Sequence, residues 1–474
     1  MFKKALFLTT GNTISSLLLL VRNIVVARLI SVEDFGIAST FAITMALIEM
    51  MTQLGMDRMI VQDKDGDNPS MQAGLQAFQA MRGMAAGALL YLIAAPYAAL
   101  LGVPEIAWAY QLIALIPMMR GFWHFDMHRL KREMNYMPHV LVYVVPAFLS
   151  VIAVLPLVNS FGDYQVMLYA ILIQQALMLT ISHLTAKRPY LLALNWPLIR
   201  RATGFGWPLL INGALLFAIF NGEKILVGRE LGMETLASFA LMFSLTLTPT
   251  LVLASSAQSF FLPQLSRVQD DPARFTRLYL VTAQTSLVIA IALASGIALL
   301  GPPIVALLLG EKYISALTLL VMLGVVQALR VAKSGLAVVA LARARTGNAM
   351  MANAPRVLAL PLALVLLWQG GGVMTIVWVA IGAEVTGYLV ALTLVRRQLR
   401  LPLRGLIIPA VLAALTLALI AIDATLTAPQ PALMPHFHLF QLVYLAAGGA
   451  MLLSMRALRD YLLRRSTTPP QQTP

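Results

Sequence analysis

Long apolar runs recur along the whole chain, each about the length of a membrane-spanning helix and parted from the next by a short polar segment. A bilayer core of roughly 30 Å takes about 20 apolar residues per helix. On that ruler the pattern predicts fourteen spans. The first six cover 5–30, 36–60, 73–101, 106–123, 138–158 and 164–184, and the next six cover 206–229, 236–262, 279–300, 314–340, 355–368 and 375–395. Two more lie at 405–425 and 437–455. The first run is unusually polar, because Asn12, Ser15, Ser16, Arg22 and Asn23 recur at helical spacing along one side. That side should face protein or water.

A second copy of this first helix begins about two hundred residues later. At an offset of 201, Ile24, Val26, Arg28 and Glu33 fall on Ile225, Val227, Arg229 and Glu234. The segment from Gly102 to Glu105, before the fourth span, resembles the segment from Gly310 to Tyr313, before the tenth. Each unit has six spans, an even number that returns the chain to the same side, so the units are expected to be parallel repeats about an axis along the membrane normal. The predicted fold is an all-α polytopic membrane protein with two six-helix lobes and two C-terminal helices. The first lobe and its linker take 1–204, the second lobe 205–402, and the last two spans with a tail 403–474. The linker, 185–204, is rich in Pro, Trp and Arg, and the Pro-ended tail at 466–474 is expected to be disordered.

Composition agrees with this class. Hydrophobic residues make up 59% and charged residues 11%, with a mean hydropathy of +0.82. The formal charge of +14 could suggest a nucleic-acid partner, but the basic residues are dealt out between apolar runs rather than gathered on one water-facing surface. With the N-terminus inside, the lysines and arginines between spans fall on the inner side, from Lys3 and Lys4 through Arg129, Lys131, Arg132, Lys187, Arg188 and Arg356 to Arg464 and Arg465. Only Lys312 lies in an outer loop. The positive-inside rule then places both termini in the cytoplasm, and an anionic inner leaflet accounts for most of the basic excess. The first span is read as uncleaved, because it is too long for a signal peptide and is interrupted by Arg22. The absence of cysteine excludes disulfides, thiolate metal sites and cysteine nucleophiles. No phosphate-binding loop of the G-x-x-x-x-G-K-[ST] type is present, which argues against ATP hydrolysis by this chain.

Nine cations remain within or close to the spans: Arg22, Arg28, Arg58, Arg82, Arg120, Lys224, Arg229, Arg330 and Lys333. A central Arg costs about 2.5 to 3.5 kcal/mol on insertion scales, so such residues face a cavity or the bundle interior, or snorkel at helix ends. Snorkelling accounts for Arg58 and Arg82, and competes with function for Arg28 and Arg229 at the outer ends of matching helices. Arg22 lies six residues deeper than Arg28 on the polar side, the position of a substrate contact. Arg120 and Arg330 occupy nearly the same depth on the fourth and tenth spans, with Lys333 one turn beyond Arg330. Cavity lining and inner-mouth snorkelling both remain open for these three.

The span carboxylates are Glu49, Glu223 and Glu384. Each could bind a coupling cation or pair with a neighbouring arginine. Glu223 is the repeat partner of Arg22, and the two are expected to approach across the lobe interface as part of a gate, with Glu49 a second candidate for gating or coupling. His124 and His128 flank Asp126 at the spacing of zinc ligands, but at the basic inner end of a span an interfacial role is expected. Gly83 and Gly87 form a small-xxx-small pair for helix packing. No metal or cofactor site is expected.

The stretch Arg28, Leu29, Ile30, Ser31, Val32, Glu33, Asp34, Phe35 and Gly36, followed by an apolar helix and Leu54, Gly55 and Met56, resembles the opening of bacterial polysaccharide transporters. These are the oligosaccharide flippases of the superfamily that also holds multidrug and toxin extruders and lipid II flippases. The resemblance implies a non-enzymatic carrier in the bacterial inner membrane, moving a polyprenyl-diphosphate-linked oligosaccharide beside the polymerase and export proteins of its pathway. It implies a cationic cavity lined by the first and seventh helices, hence Arg22, Asn23 and Arg28 with Lys224 and Arg229, to which the fourth and tenth spans add Arg120, Arg330 and Lys333. Arginine forks would bind the diphosphate oxygens in a low dielectric. Two alternatives stay open. A cation- or proton-coupled extruder of the same superfamily is expected to carry an acid on its first helix, and a membrane glycan ligase or glycosyltransferase needs a large outer loop.

Overall fold

The computed structural model describes residues 2–52, 55–427, 429 and 439–467, less the side chains of 2–6, 8–9, 51–52, 205, 208–209, 212 and 464–467. Every regular element among the described residues is helical, as a bilayer interior requires of a backbone that must satisfy its own N–H and C=O groups. Leu54 of the opening motif and the tail from residue 468 onward lie outside the described residues.

Packing divides the chain into two compact units, Met1–Leu241 and Met242–Pro474. The first runs through α1 (Phe2–Leu29), α2 (Val32–Thr52), α3 (Met56–Gln62), α4 (Pro69–Leu92), α5 (Ala94–Leu100), α6 (Ala107–Ile113), α7 (Leu115–Gly121), α8 (Asp126–Arg132), α9 (Met137–Ser160), α10 (Gln165–Leu184) and α11 (Trp196–Leu231). The division falls within α12 (Met233–Arg267). The second unit continues with α13 (Pro272–Leu309), α14 (Leu317–Ala342), α15 (Gly347–Trp368), α16 (Val373–Gln398), α17 (Arg404–Leu426), α18 (Leu439–Ser454) and α19 (Arg456–Thr467).

By length and hydropathy nine of the described helices can each cross a membrane, or up to eleven if two bent pairs, α4 with α5 (65°) and α18 with α19 (66°), each count as one span. Helix is present at the other three of the fourteen predicted spans, with a local reason why each falls short. α2 carries Glu33, Asp34 and Glu49 and runs into undescribed residues. The fourth span breaks at Ala114 into the seven-residue α6 and α7. α11 carries Glu223, Lys224, Arg229 and Glu230 in its last turns.

In the first unit α1 packs on α9, α9 on α10, and α4 on α7. α11, which the repeat assigns to the second lobe, lies against α2, α3 and α4. The α4–α7 crossing explains the glycines picked out by spacing: a Cβ on Gly83 would lie 2.4 Å from the Pro117 carbonyl oxygen and 2.6 Å from Gly121 Cα, and one on Gly87 would lie 2.7 Å from the Ala114 carbonyl oxygen. Gln79 Nε2 adds a hydrogen bond to the Arg120 carbonyl at 2.7 Å. The linker lies against α4, where Gln76 Nε2 donates to the Leu191 carbonyl at 2.8 Å and Ala193 N–H to the Ala73 carbonyl at 3.3 Å. Asn195 then caps α11 through Leu198 N–H at 3.0 Å.

In the second unit α14 is the core helix, packed by α13, α15, α16 and α17 and largely buried. The resemblance between the segments after Gly102 and Gly310 has a conformational basis. Both glycines hold positive φ, +84° and +71°, and each is followed closely by a 3-10 turn, Pro104–Ile106 and Glu311–Ala316.

Candidate functional site

Each unit holds a cluster of helix-borne cations, one on α7 with α10 and the other on α14 with α16. In the first unit Arg120 projects from the end of α7. Its Nε donates to Gln175 Oε1 of α10 at 3.0 Å, and an Nη donates to Glu49 Oε1 of α2 at 3.1 Å. The guanidinium also lies 5.5 Å from the Trp123 ring centroid, within cation–π range. The Arg120 side chain is 15% exposed and that of Glu49 is 50% exposed. This pair therefore touches solvent.

Beside Arg120 opens a cavity of about 340 Å³, lined by Arg58, Arg82, Gln79, Glu49, Asp57, Trp123, His128 and Tyr143 among others. Its floor is the tight α4–α7 crossing, since Gly83, Pro117 and Gly121 also line it. The volume suits one or two sugar rings or a diphosphate. Three guanidiniums, two carboxylates, an amide and two aromatic faces provide donors for an oxyanion and platforms for sugar rings. Arg58 and Arg82, read from the sequence as snorkelling cations, line this cavity with Arg120.

Further polar contacts tie α3 to α11 and α8 to the linker. Arg201 meets Asp63 at 2.5 Å, Arg129 Nε meets Asp126 Oδ1 at 2.5 Å, and Lys187 N–H donates to Asp126 Oδ2 at 2.7 Å. Burial pulls the Asp126 carboxyl upward, but the Arg129 hydrogen bond, the Lys187 N–H and the Arg129 charge outweigh it and hold the group below the usual carboxylate range. Burial pushes His124 and His128 down, so both are neutral imidazoles near pH 7. Asp126 N–H donates to His124 Nδ1 at 3.1 Å. That bond occupies the Nδ1 lone pair of His124 with a backbone donor.

Arg22 is buried, and its hydrogen bonds run to Gln174 Oε1 of α10 at 2.6 Å and Ser150 Oγ of α9 at 3.4 Å. Glu223 is not among these partners, and Arg22 does not line the cavity. Arg28 and Arg229 are exposed at the ends of α1 and α11, with Arg229 Nε 3.4 Å from Glu230. Asn23 and Lys224 are half-buried and Glu223 is buried.

In the second unit Arg330 Nε donates to Glu384 Oε1 at 2.8 Å, Arg356 Nη1 to the same oxygen at 3.0 Å, and Lys333 Nζ to Oε2 at 2.7 Å. Glu384 is 1% exposed, Arg356 2% and Lys333 9%. The ion-pair reading of Glu384 is the one observed. Arg356, assigned from sequence to an inner loop, is instead buried within α15, because that helix begins at Gly347 and carries position 356 into its interior. Gly387 leaves room for the hub, since a Cβ there would lie 2.4 Å from the Ala352 carbonyl oxygen and 3.2 Å from Lys333 Nζ.

The two clusters share a bond. Arg120 and Arg330, already matched by depth, each direct Nε to a side chain on the last helix of the repeat, Gln175 of α10 and Glu384 of α16. Sequence reasoning missed Gln174, Gln175, Gln79 and Ser150. The signal was present, because two adjacent glutamines in the apolar run of α10 need partners in a bilayer.

The fold is shared with solved transporters. One is described as the lipid II flippase MurJ in an inward closed conformation, at 14% identity, TM-score 0.70, covering 96% of this chain and all of that one. Another is an inward-facing multidrug resistance MATE family transporter of the MOP superfamily, at 15% identity, TM-score 0.65, covering 80% of this chain and 92% of that one. Among curated proteins, the succinoglycan biosynthesis transport protein ExoT of Rhizobium meliloti (strain 1021) is 24% identical over 293 residues. That match covers 61% of this chain and 58% of the relative's length. Residues 25–318 match the profile of the family described as polysaccharide biosynthesis protein, well over half of the chain, and the protein belongs to that family.

Proposed function

We propose that this protein is a flippase that carries a polyprenyl-diphosphate-linked oligosaccharide across the bacterial inner membrane by alternating access, for synthesis of a surface polysaccharide. The single observation that carries the reading is the arginine-lined cavity of Arg58, Arg82 and Arg120 in a member of a polysaccharide biosynthesis family. The lipid tail can remain in the bilayer while the diphosphate and sugars need a wet path with cations, which is what such a cavity supplies. Membrane lipids and the polymerase and export proteins of the same pathway are the partners this reading implies. In the same proposal Arg22, Asn23, Arg28, Lys224 and Arg229 belong to the path, Glu49 and Glu223 act in gating, Arg330 and Lys333 brace the second unit through Glu384 rather than meeting substrate, and both termini are cytoplasmic.

Deleting the gene should cause a lipid-linked oligosaccharide to accumulate on the inner leaflet, and the wild-type gene should clear it. Arg120→Ala should restore less than a tenth of the wild-type export while the protein remains in the membrane. No accumulation in the deletion, or full restoration by a variant with alanine at 58, 82 and 120 together, refutes the reading. The fold shared with multidrug transporters supports a second reading as a drug extruder. It requires a deletion strain that becomes drug-sensitive without accumulating glycan.

A further inference from the structure

The repeated arginine bond has a different partner in each unit. Arg120 Nε meets the neutral amide of Gln175 at 3.0 Å, whereas Arg330 Nε meets the carboxylate of Glu384 at 2.8 Å. We propose that the acceptor set against each arginine's Nε decides which arginine can receive an oxyanion: Gln175 leaves Arg120 available, and Glu384 withholds Arg330.

The local geometry supports the asymmetry. An amide oxygen orients a guanidinium without cancelling its charge, so the Gln175 bond does not neutralise Arg120. The carboxylate that Arg120 does meet, Glu49, is half exposed, and water screens and loosens such a pair. The adjoining cavity offers room for the incoming group together with Arg58 and Arg82. Arg330 is placed otherwise. Glu384 is 1% exposed, and its two oxygens take Arg330, Arg356 and Lys333 together. An oxyanion approaching Arg330 must compete with a carboxylate fixed by three charge-assisted bonds in a low-dielectric interior, where breaking one partner away strands the others. Glu384 thus occupies the position that a phosphate or a sugar carboxylate would take.

The flippase reading enters only in naming that oxyanion as part of the substrate. Phosphate and sugar carboxylate share the recognising chemistry, and separate probes distinguish them.

The test uses the full chain, purified in detergent and titrated with inorganic pyrophosphate and, in a parallel arm, with glucuronate. Arg120→Ala marks binding elsewhere on the protein. Wild type should bind at least one probe in a manner that Arg120→Ala removes, and the probe that binds tells diphosphate from acidic sugar. Gln175→Glu should weaken that binding at least tenfold. Glu384→Gln should add a second binding component that Arg330→Ala removes. Folding of each variant is read from monodisperse elution and the thermal midpoint. A folded Glu384→Gln variant without that component overturns the proposal; should it fail to fold, Arg330→Ala takes its place, expected to bind like wild type, with lost binding overturning the proposal. Wild type that binds neither probe, or a folded Gln175→Glu variant with unchanged affinity, overturns the proposal. If both exchanges behave as stated and reconstituted protein flips no lipid-linked oligosaccharide, the flippase reading fails and the assignment of the two arginines stands.

Discussion

At the scale of single residues, Arg22 separates stability from function. Its described hydrogen bonds go to neutral partners, Gln174 and Ser150. Replacing it by Met removes a charge that costs about 2.5 to 3.5 kcal/mol to place in a span, and forfeits hydrogen bonds to a charged group worth about 1.5 to 3 kcal/mol. The terms nearly cancel, so Arg22→Met is expected to unfold within about 1 kcal/mol of wild type. If Arg22 serves transport, export by that variant should nonetheless fall at least tenfold. A thermal midpoint that drops by many degrees would make Arg22 a structural brace. The imidazoles of His124 and His128 give a second prediction. Burial lowers His124 and His128 below the ordinary value of 6.5, so the unfolded chain binds more protons than the folded one as pH falls below about 6.5. Their contribution is complete above that pH and is lost on acidification, at up to ~1.4 kcal/mol per pH unit for each group. Midpoints measured at pH 7.5 and pH 5.5 should show the loss, and a variant with Gln at both positions should have a flatter slope.

At the scale of elements, the α4–α7 crossing ties packing to the cavity. Gly83, Gly121 and Pro117 are both the contact and the floor. A methyl group on Gly83 meets backbone atoms at 2.4 and 2.6 Å, which cannot rotate away as a side chain could. Gly83→Ala is therefore expected to cost about 1 to 3 kcal/mol and to displace Arg120 at the end of α7. A Gly83→Ala variant as stable and as active as wild type would show that the helices can part freely. The spacing of Gly83 and Gly87 was legible in the sequence as a packing signal, but the partner surface at Gly121 was not. A small-residue motif states that something approaches closely without saying what. The same limit applies to the clusters: charge and depth singled out Arg120, Arg330 and Lys333, whereas the bonds to Gln175, Glu49 and Glu384 depend on rotation about each helix axis. An apolar run does not encode that rotation, because nearly all of its faces are greasy.

At the scale of the whole molecule, the class was readable because it rests on many residues at once. Hydropathy pointed to an all-helical membrane protein, and the likeness read between the segments after Gly102 and Gly310 reappears in the fold as two left-handed glycines, each followed by a 3-10 turn. The number of spans is harder to read, since α2, α6 with α7, and α11 are polar or broken, and the described helices qualify as nine or, with the bent pairs, eleven. Orientation can decide it. Each added span reverses the side on which the next loop emerges, so the three doubtful segments have separate consequences. With fourteen spans Lys64 and Lys187 are inside, Glu105 and Glu234 outside, Lys312 outside, and Arg397 and Arg459 inside. If α2 did not cross, Lys64 would stand on the side expected of Glu33. If α6 and α7 did not, His128 would share the side of Glu105, and if α11 did not, Glu234 would share that of Arg200. An odd total of eleven, with α18 and α19 as one bent span, would bring the basic end of α19 to the outer side, against the pull of the anionic inner leaflet on its arginines. The chain contains no cysteine, so single cysteines placed at 64, 105, 187, 234, 312 and 397 can be labelled one at a time with a membrane-impermeant maleimide on intact cells. Positions 105, 234 and 312 should react directly, and 64, 187 and 397 only after permeabilisation. Direct labelling at 64 or 187 would remove the corresponding span and break the six-span repeat from which the parallel arrangement was inferred.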